Sequence, residues 1–361
     1  MSVKSMNTEF ELSNNPVISQ MSSMDHDQIL FCSDNKTGLK AIIAIHDTTL
    51  GPALGGTRMW NYDNEMDALN DVLRLSRGMT YKNAISDLAL GGGKAVIIGD
   101  SKTMKSEVLF RRFGRFVDSL AGNYITAEDV GISPSDMVWV SKETKHVVGL
   151  PGKSGDPSPV TAFGTYMGIK ACAKIRYGSD ALEGKKILVQ GVGHVGEYLV
   201  AHLRKEGAQV FISDINTETV NRIVNTYGAV GVDLDGVYDL DMDIYAPCAL
   251  GGTINDETLS KLKCGIVAGA ANNQLGIEDV HGLSLLNKGI LYAPDFAINA
   301  GGVMNCFSEV EGLSNEWAMA KSEKIYNTIF DIVSRSEKER TPSHIIAMKM
   351  AEEKINKGSK K

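Results

Sequence analysis

The sequence predicts an α/β protein of two domains, and three observations lead to this prediction. The chain has 361 residues, which is about two ordinary domain lengths. Its composition, 43% hydrophobic and 22% charged, is that of a globular protein able to bury a substantial core. In the second half, short apolar runs alternate with helical segments, which is typical of a parallel sheet covered by helices.

The first half predicts a smaller α/β domain over residues 1–150, which opens with a polar arm that we expect to be loosely ordered over residues 1–25. Its apolar runs have strand length, and its longer segments place apolar side chains at helical spacing. In order, the predicted elements are a strand at 39–46, a helix at 65–79, a strand at 95–98, a helix at 105–120 and a strand that ends at Asp129.

A stretch dense in glycine, proline and serine, residues 150–164, predicts the crossing into a second domain over residues 151–334. Five apolar runs follow it and predict the strands of a doubly wound parallel sheet: KILVQ, QVFISD, MDIYAP, CGIVAGA and GILYAPD. The segment from about Ser322 is amphipathic. We expect its last helix, about residues 335–361, to return to the first domain.

Charge and cysteine usage exclude several classes of protein. The net charge is −7 and the one basic run is the terminal KGSKK, which argues against broad contact with nucleic acid or an anionic membrane. No apolar stretch has the length of a membrane span, and the polar N-terminus lacks the pattern of a signal peptide. The five cysteines are scattered without C-x-x-C spacing, which favours reduced thiols. We therefore expect a cytoplasmic protein without a bound metal.

The clearest ligand signal is a glycine-rich turn after the strand KILVQ. Gly191, Gly193 and Gly196 form G-x-G-x-x-G at the opening of a helix, where bare backbone and the helix N-terminus favour a pyrophosphate. The next strand ends at Asp214, whose carboxylate can hold both hydroxyls of an adenosine ribose. A 2′-phosphate would meet this charge and no arginine follows in DINTET, so the sequence predicts NAD in a Rossmann-type domain. The same predicted site includes the loop residues Val192, His194 and Val195.

A lysine after a glycine triplet, Lys94 in GGGKAVIIGD, is the clearest catalytic candidate. The segment is not a phosphate loop, because Leu88 stands at the first glycine position and Ala95 follows the lysine. Lys82 lies shortly upstream, and Asp129 ends a strand, where α/β sites collect. Two lysines and a carboxylate suit an amino acid: one cation would hold the α-carboxylate and the other, its pKa lowered by burial, would move protons. A solvated Lys94 without a role is the alternative.

Seven segments, in order, resemble the leucine dehydrogenase branch of the Glu/Leu/Phe/Val dehydrogenase superfamily: GPALGGTRMW, RLSRGMTYK, GGGKAVIIGD, GVGHVG, PCALGG, AGAANNQL and YAPDFAINAGG. The likeness runs from about Asp27 to the C-terminal helix. It implies reversible oxidative deamination of an L-amino acid to a 2-oxo acid and ammonia with NAD, in the cleft between the domains. It also implies a homo-oligomer, often an octamer, with the N-terminal domain serving substrate binding and oligomerisation.

The resemblance assigns roles residue by residue. The lysine of the family's G-G-G-K motif, here Lys94, is the catalytic lysine, and the acid before the V-G pair, here Asp129, assists proton transfer. The lysine after G-M-T-Y, here Lys82, binds the substrate carboxylate. Near the nicotinamide and its ribose, the resemblance places Thr161, Ala249, Asn272, Asn273 and Asn299. For these the alternative is ordinary turn chemistry.

Charged residues that this chain lacks predict which substrate side chain it prefers. Glutamate dehydrogenases of the superfamily carry a lysine before the paired glycines and a serine after N-A-G-G, where this chain has Leu54 and Cys306. An unpaired carboxylate buried there would be costly, so glutamate should be rejected. The predicted apolar pocket consists of Leu54, Gly55, Gly56, Met79, Val303 and Cys306. It favours leucine, valine and isoleucine, while an aromatic amino acid, a hydroxy acid and a non-catalytic NAD-binding role are the alternatives.

Overall fold

The computed structural model describes residues 16–153 and 155–359, and the chain divides into two compact units. The first unit comprises residues up to Thr80 together with Ala89–Pro151. The second comprises Tyr81–Leu88 together with the chain from Gly152 onward. Each unit is built around its own sheet, which confirms the predicted two-domain α/β architecture.

The first unit holds a five-stranded mixed sheet of order β1-β2-β4-β3-β5. Its elements are α1 (Pro16–Ser23), β1 (Gln28–Asp34), β2 (Leu39–Asp47), β3 (Ala53–Trp60), α2 (Glu65–Ile85, counted with the second unit from Tyr81), β4 (Gly91–Ile98), α3 (Glu107–Ser119), β5 (Tyr124–Glu128) and α4 (Pro134–Ser141). Strand β2 pairs antiparallel with β1 and β4, whereas β3 runs parallel to β4 and β5. The carboxyl ends of β3, β4 and β5 therefore lie at one edge of the sheet.

Strand β2 is buried on both faces, which explains its almost uninterrupted apolar sequence. Because side chains alternate along a strand, Ile43 packs on one face with Phe110 of α3, while Ile42 packs on the other face with Leu73 of α2. The expected arm lies outside the described residues up to residue 15. The rest of it contains α1, and Met24 packs against the α2 side of the core.

The glycines before Lys94 lie within β4, which begins earlier than the predicted strand at 95–98. A Cβ at Gly92 would collide with the backbone and hydroxyl of Thr80 in α2. On the opposite face, a Cβ at Gly93 would stand 2.7 Å from the ring of Tyr124. The triplet therefore lets a helix and a large ring approach the strand directly, which fixes the backbone of the residue that follows.

The second unit holds a six-stranded parallel sheet of order β11-β10-β9-β6-β7-β8. Its elements are α5 (Ser158–Tyr177), β6 (Lys186–Gln190), α6 (His194–Lys205), β7 (Gln209–Ser213), α7 (Thr217–Tyr227), β8 (Val230–Gly231), a 3₁₀ turn (Leu234–Asp239), β9 (Ile244–Pro247), α8 (Asp256–Lys261), β10 (Ile266–Val267), α9 (Glu278–Asn287), β11 (Leu291–Tyr292), α10 (Asp295–Ile298), α11 (Gly301–Val310), α12 (Asn315–Glu323), α13 (Ile325–Glu339) and α14 (Ser343–Gly358). The chain runs outward from β6 in one direction and from β9 in the other, which confirms the doubly wound sheet.

The crossing predicted over residues 150–164 is only partly irregular, because α5 begins at Ser158. Pro159 is compatible with its first turn, where a backbone N–H has no intrahelical partner. At the other end of the chain, α14 contacts the end of α2: Tyr81 donates a 3.1 Å hydrogen bond to Glu352, and Lys354 donates a 3.0 Å hydrogen bond to the carbonyl of Ile85. These contacts explain why residues 81–88 group with the second unit.

Within the described residues, no helix is long and apolar enough to cross a membrane. None of the five cysteines, all of which lie among the described residues, forms a disulfide, and three of them are buried. In the same residues, no group of three histidine, cysteine or acidic side chains has the arrangement of a metal site.

Candidate active site

Lys94 projects from the middle of the first unit's sheet and is almost fully enclosed. It lies in β4 opposite Ala44 of β2, and 8% of its side chain is exposed. A buried ammonium is costly unless it has an anionic partner. Asp129 supplies this partner: it follows β5 directly, and its Oδ2 lies 2.9 Å from Lys94 Nζ. The structure thus brings together the two predicted catalytic residues of the first unit.

A second cation, Arg58 of β3, contacts the same carboxylate. Its Nε donates a 3.0 Å hydrogen bond to Oδ2 of Asp129, the atom that also meets Lys94. Sequence reasoning missed Arg58. The two-residue period of a strand places position 58 on the same face as Gly56, but only the structure shows that Gly56 lies beside Asp129.

The pair has the electrostatics of a proton-transfer site. Burial disfavours the charged ammonium and lowers the pKa of Lys94, although Asp129 opposes this effect. Burial would raise the pKa of Asp129, but the charges of Lys94 and Arg58 outweigh it and hold that pKa below its usual range. A lysine of lowered pKa beside an ionised carboxylate can exchange protons with a substrate.

The wall beside this pair is apolar and built on close backbone approach. Leu54, 2% exposed, precedes Gly55 and Gly56 in β3. A Cβ at Gly56 would stand 3.1 Å from the Cβ of Asp129, and one at Gly55 would stand 3.3 Å from the side chain of Met79. The structure therefore groups four of the predicted pocket residues with the catalytic pair in the first unit.

Lys82 belongs to the second unit and is held there by Asn299. Its Nζ donates a 2.6 Å hydrogen bond to Oδ1 of Asn299. The amide nitrogen of Asn299 donates to the carbonyl of Ala270 at 3.0 Å and to Oδ1 of Asn272 at 2.7 Å. Three residues predicted separately, Lys82, Asn272 and Asn299, thus form one hydrogen-bonded chain.

Asp295, which sequence reasoning also missed, lies near this chain. Its carboxylate accepts hydrogen bonds from the backbone N–H groups of Gln274 and Phe296. Burial raises its pKa, and the backbone hydrogen bonds and the charge of Lys82 only partly oppose the shift.

The glycine turn has the geometry predicted for a dinucleotide. Gly191 has a φ of +94°, which a side chain would strain, and a Cβ there would stand 2.6 Å from Ala249. A Cβ at Gly196 would collide with the carbonyl of Gly191, so this glycine sets the close packing of α6. Gly193 is exposed, has open space where a Cβ would point, and caps α6 without a side-chain hydrogen bond. Its helix N-terminus, with His194 exposed beside it, can accept a pyrophosphate.

Asp214 stands where the adenosine ribose is predicted and also supports the glycine turn. Its Oδ2 accepts a 2.8 Å hydrogen bond from the backbone N–H of Val192. Val195, in the first turn of α6, is half-buried. Ala249 and Asn273 are exposed, and the former follows β9 at the point where the strand order reverses. Ligands bind at such switch points in doubly wound sheets.

The remaining predicted residues lie where α11 meets α5. Cβ atoms at Gly301 and Gly302 would contact Thr161 at 2.7 Å and 3.2 Å, so these glycines let the two helices touch. Val303 is buried in α11, and Cys306 is half-buried one turn later. The second unit therefore holds these residues as well as the glycine turn.

A doubly wound sheet with this glycine turn, in a chain that also buries a lysine–carboxylate pair, defines a dehydrogenase that uses a nicotinamide cofactor. The sequence pattern of the Glu/Leu/Phe/Val dehydrogenase dimerisation domain matches residues 26–146. That of glutamate/leucine/phenylalanine/valine dehydrogenase matches residues 214–358. The chain belongs to this family of amino acid dehydrogenases.

Known relatives cover nearly the whole chain. Leucine dehydrogenase of Bacillus subtilis (strain 168) is 54% identical over 93% of this chain and 93% of its own length. L-tryptophan dehydrogenase of Nostoc punctiforme is 47% identical over 92% of this chain and 94% of its own. The crystal structure of L-tryptophan dehydrogenase from Nostoc punctiforme superposes with a TM-score of 0.87 at 45% identity, covering 95% of this chain and 100% of that one.

Proposed function

We propose that this protein catalyses the NAD-dependent, reversible oxidative deamination of leucine, and also of valine and isoleucine, to the 2-oxo acid and ammonia. The observation that carries the proposal is the buried ion pair of Lys94 and Asp129 beside Leu54. The identity of 52–54% to several leucine dehydrogenases supports the substrate class. Membership of this family supports a homo-oligomer, which we propose to be an octamer. We also propose that the protein acts in the cytoplasm.

Lys82 binds the α-carboxylate of the substrate, and Asn299 orients the lysine for this role through its 2.6 Å hydrogen bond. Leu54 and Met79 of the first unit receive the aliphatic side chain, and Val303 and Cys306 of the second unit stay predicted pocket residues. This set lacks a cation for a side-chain carboxylate, so glutamate would leave a charge unpaired.

Asp129, ionised because of its two cationic neighbours, removes a proton from the substrate ammonium. A nicotinamide held by the second unit would supply the acceptor for the hydride that leaves the substrate Cα. Lys94 helps water attack the resulting imine by transferring protons and stabilises the carbinolamine, which collapses to the 2-oxo acid and ammonia. The overall reaction consumes the amino acid, NAD⁺ and water, and yields the 2-oxo acid, ammonium, NADH and a proton.

The residues that would hold the cofactor are suited to NAD. Exposed Gly193 and the uncapped start of α6 would meet the pyrophosphate, and Asp214 would hold the adenosine ribose. The residue after Asp214, Ile215, is 87% exposed and uncharged, so it offers nothing to a 2′-phosphate. Asn272, Asn273, Ala249 and Thr161 would surround the nicotinamide ribose and amide.

An assay of NADH formation with a panel of substrates tests the proposal. Leucine, isoleucine and valine should give the highest kcat/KM, with glutamate and 2-hydroxy acids near background. The second candidate, deamination of an aromatic amino acid, is favoured by the similarity to L-tryptophan dehydrogenase. Phenylalanine or tryptophan as the best substrate would establish it, and no turnover of any amino acid would overturn both candidates.

A further inference from the structure

We propose that Arg58 is a positioning residue that holds one oxygen of Asp129, so that the other oxygen, Oδ1, receives the proton from the substrate. The inference deepens the proposed function and rests on it. It assigns different tasks to the two oxygens of one carboxylate and gives a role to a residue outside the predicted site.

The hydrogen bonds at Asp129 are asymmetric. Arg58 Nε lies 3.0 Å and Lys94 Nζ 2.9 Å from Oδ2. Within the part of the first unit that the structure describes, no polar group bonds to Oδ1. A carboxylate oxygen has two lone-pair sites, and two cationic donors occupy both sites of Oδ2. A proton arriving from a substrate therefore has an acceptor site at Oδ1.

A second carboxylate, that of Asp71, also holds the guanidinium of Arg58 in place. Its NH1 donates a 2.9 Å hydrogen bond to Oδ2 of Asp71, and the hydroxyl of Tyr62 donates a 2.8 Å hydrogen bond to the same atom. The side chains of Arg58 and Asp71 are 21% and 16% exposed, so the guanidinium is held between two carboxylates in a partly buried setting. The planar fork of an arginine suits this bridge, whereas a lysine offers a compact ammonium without the fork geometry.

The proton step that follows is simple to write. An N–H bond of the substrate ammonium breaks, its electron pair stays on nitrogen, and an O–H bond forms at Oδ1 of Asp129. The contacts of Arg58 and Lys94 at Oδ2 survive this step. Protonation at Oδ2 would instead displace one of the two cations.

Arg58 also influences how both partners titrate. The charged or titratable groups that face it in the first unit are Asp129, Lys94, Asp71 and Tyr62. Its positive charge lowers the pKa of Asp129 and opposes protonation of Lys94. Removing that charge should raise both pKa values. Both limbs of the pH profile of kcat/KM should then move to higher pH, a result that simple loosening of the fold does not produce.

The experiment compares Arg58→Gln, Arg58→Lys and the control Arg74→Gln. Arg74 contacts the other oxygen of Asp71 at 3.1 Å from an exposed position, so its loss removes a cation from the same network without touching Asp129. We expect Arg58→Gln to lower kcat for leucine by about 10- to 100-fold with little change in KM, because the acceptor oxygen is misplaced. Arg58→Lys should restore the positions of the pH limbs but only part of kcat, and Arg74→Gln should match the wild type.

A second readout does not need turnover. Acetic anhydride labels neutral amines, so the pH dependence of Lys94 acetylation, followed by mass spectrometry, reports the titration of this lysine. Its midpoint should move up by about one pH unit in Arg58→Gln and not in Arg74→Gln. Should Arg58→Gln fail to fold, Arg58→Lys carries the kinetic comparison.

The outcomes separate the two proposals. Absence of deamination by the wild type overturns the proposed function, while the labelling experiment still measures the effect of Arg58 on Lys94. Unmoved pH limbs and an unmoved labelling midpoint in Arg58→Gln, or equal effects in Arg74→Gln, overturn the role of Arg58.

Discussion

Asn299 accepts a 2.6 Å hydrogen bond from Lys82 through Oδ1 while its amide nitrogen donates to Oδ1 of Asn272. The two ends of one amide thus connect the residue proposed to bind the substrate carboxylate with one proposed to line the nicotinamide ribose. The amide is 4% exposed, and its orientation is fixed because its nitrogen also donates to Ala270. An aspartate in place of Asn299 would put a carboxylate oxygen, which is an acceptor, against the two acceptors that the amide nitrogen now meets. These are the carbonyl of Ala270 and Oδ1 of Asn272.

The first prediction follows from this hydrogen-bonded series of Lys82, Asn299 and Asn272. Asn299→Ala should raise KM for leucine by about tenfold or more, because a hydrogen bond to a charged group contributes about 1.5–3 kcal/mol. Steady-state kinetics at saturating NAD measures the change. Asn287→Ala, at an exposed position of α9, is the control. An unchanged KM would show that Asn299 does not hold Lys82 for the substrate.

The second prediction concerns Lys94. Lys94→Ala should lose several orders of magnitude in kcat, because proton transfer and electrostatic stabilisation each contribute about 10²-fold or more. Binding of NADH, followed by fluorescence, should persist because the glycine turn belongs to the second unit. Lys40→Ala, which removes an exposed lysine of β2, controls for the loss of a surface amine. Near-normal turnover in Lys94→Ala would show that Lys94 has a structural and not a catalytic role.

Local patterns explain which parts of this site the sequence could predict. The glycine turn and Asp214 are set by a strand, a helix and a second strand in direct succession, so their spacing is visible in the sequence. Arg58 was not visible in this way, because its role depends on β5 bringing Asp129 beside β3. Such contacts depend on register and on tertiary packing, which a single sequence does not display.

The same reasoning applies to the glycine triplet. Its residues were expected to precede a strand, yet they form the first part of β4. Glycine has a low strand propensity, which here is overridden by the packing of Thr80 and Tyr124 against the bare backbone. The sequence therefore predicted a strand here but not the residue at which it begins.

The third prediction concerns acid stability. His26 is 7% exposed, bonds to Ser76 at 2.8 Å and packs edge-on against His46 at 4.8 Å. Burial and the neighbouring His46 lower the pKa of His26 to about 4. Below pH 6.5 the unfolded chain gains a proton at this histidine and the folded one does not, so stability falls with pH until about pH 4.

The expected loss of unfolding free energy between pH 6.5 and 5 is about 1.5 kcal/mol, because the slope is half of its maximum of about 1.4 kcal/mol per pH unit at pH 6.5 and approaches that maximum at lower pH. Urea unfolding at the two pH values measures it. His26→Gln keeps a hydrogen-bonding group without the titration and should flatten this dependence, whereas His194→Gln, at an exposed position, should not. Equal slopes in wild type and His26→Gln would contradict the assignment.

The fourth prediction separates two tasks of Asp214. Asp214→Asn keeps an acceptor for the N–H of Val192 but loses the negative charge. It should therefore weaken the binding of NAD by about tenfold and reduce the preference for NAD over NADP. Asp214→Ala loses both and should weaken NAD further. The ratio of kcat/KM for the two cofactors measures the preference, with Asp235→Asn as a control at an exposed position of the 3₁₀ turn. Equal kcat/KM of the wild type with NAD and with NADP would show that the carboxylate of Asp214 does not select the cofactor.

The last prediction concerns the size of the side-chain pocket. Leucine has three more carbons than alanine, and each buried CH₂ contributes about 0.8 kcal/mol, so leucine should exceed alanine in kcat/KM by roughly 60-fold. Met79 is half-buried beside Gly55, and shortening it should open the wall of the predicted pocket. Met79→Ala should therefore raise the ratio of kcat/KM for phenylalanine to that for leucine by about tenfold, since larger rings gain the released space. Met66→Ala is the matched control, because this methionine lies on the same helix but packs against the core around Leu69. The ratio cancels any general loss of active protein, so an equal ratio in both variants would remove Met79 from the pocket.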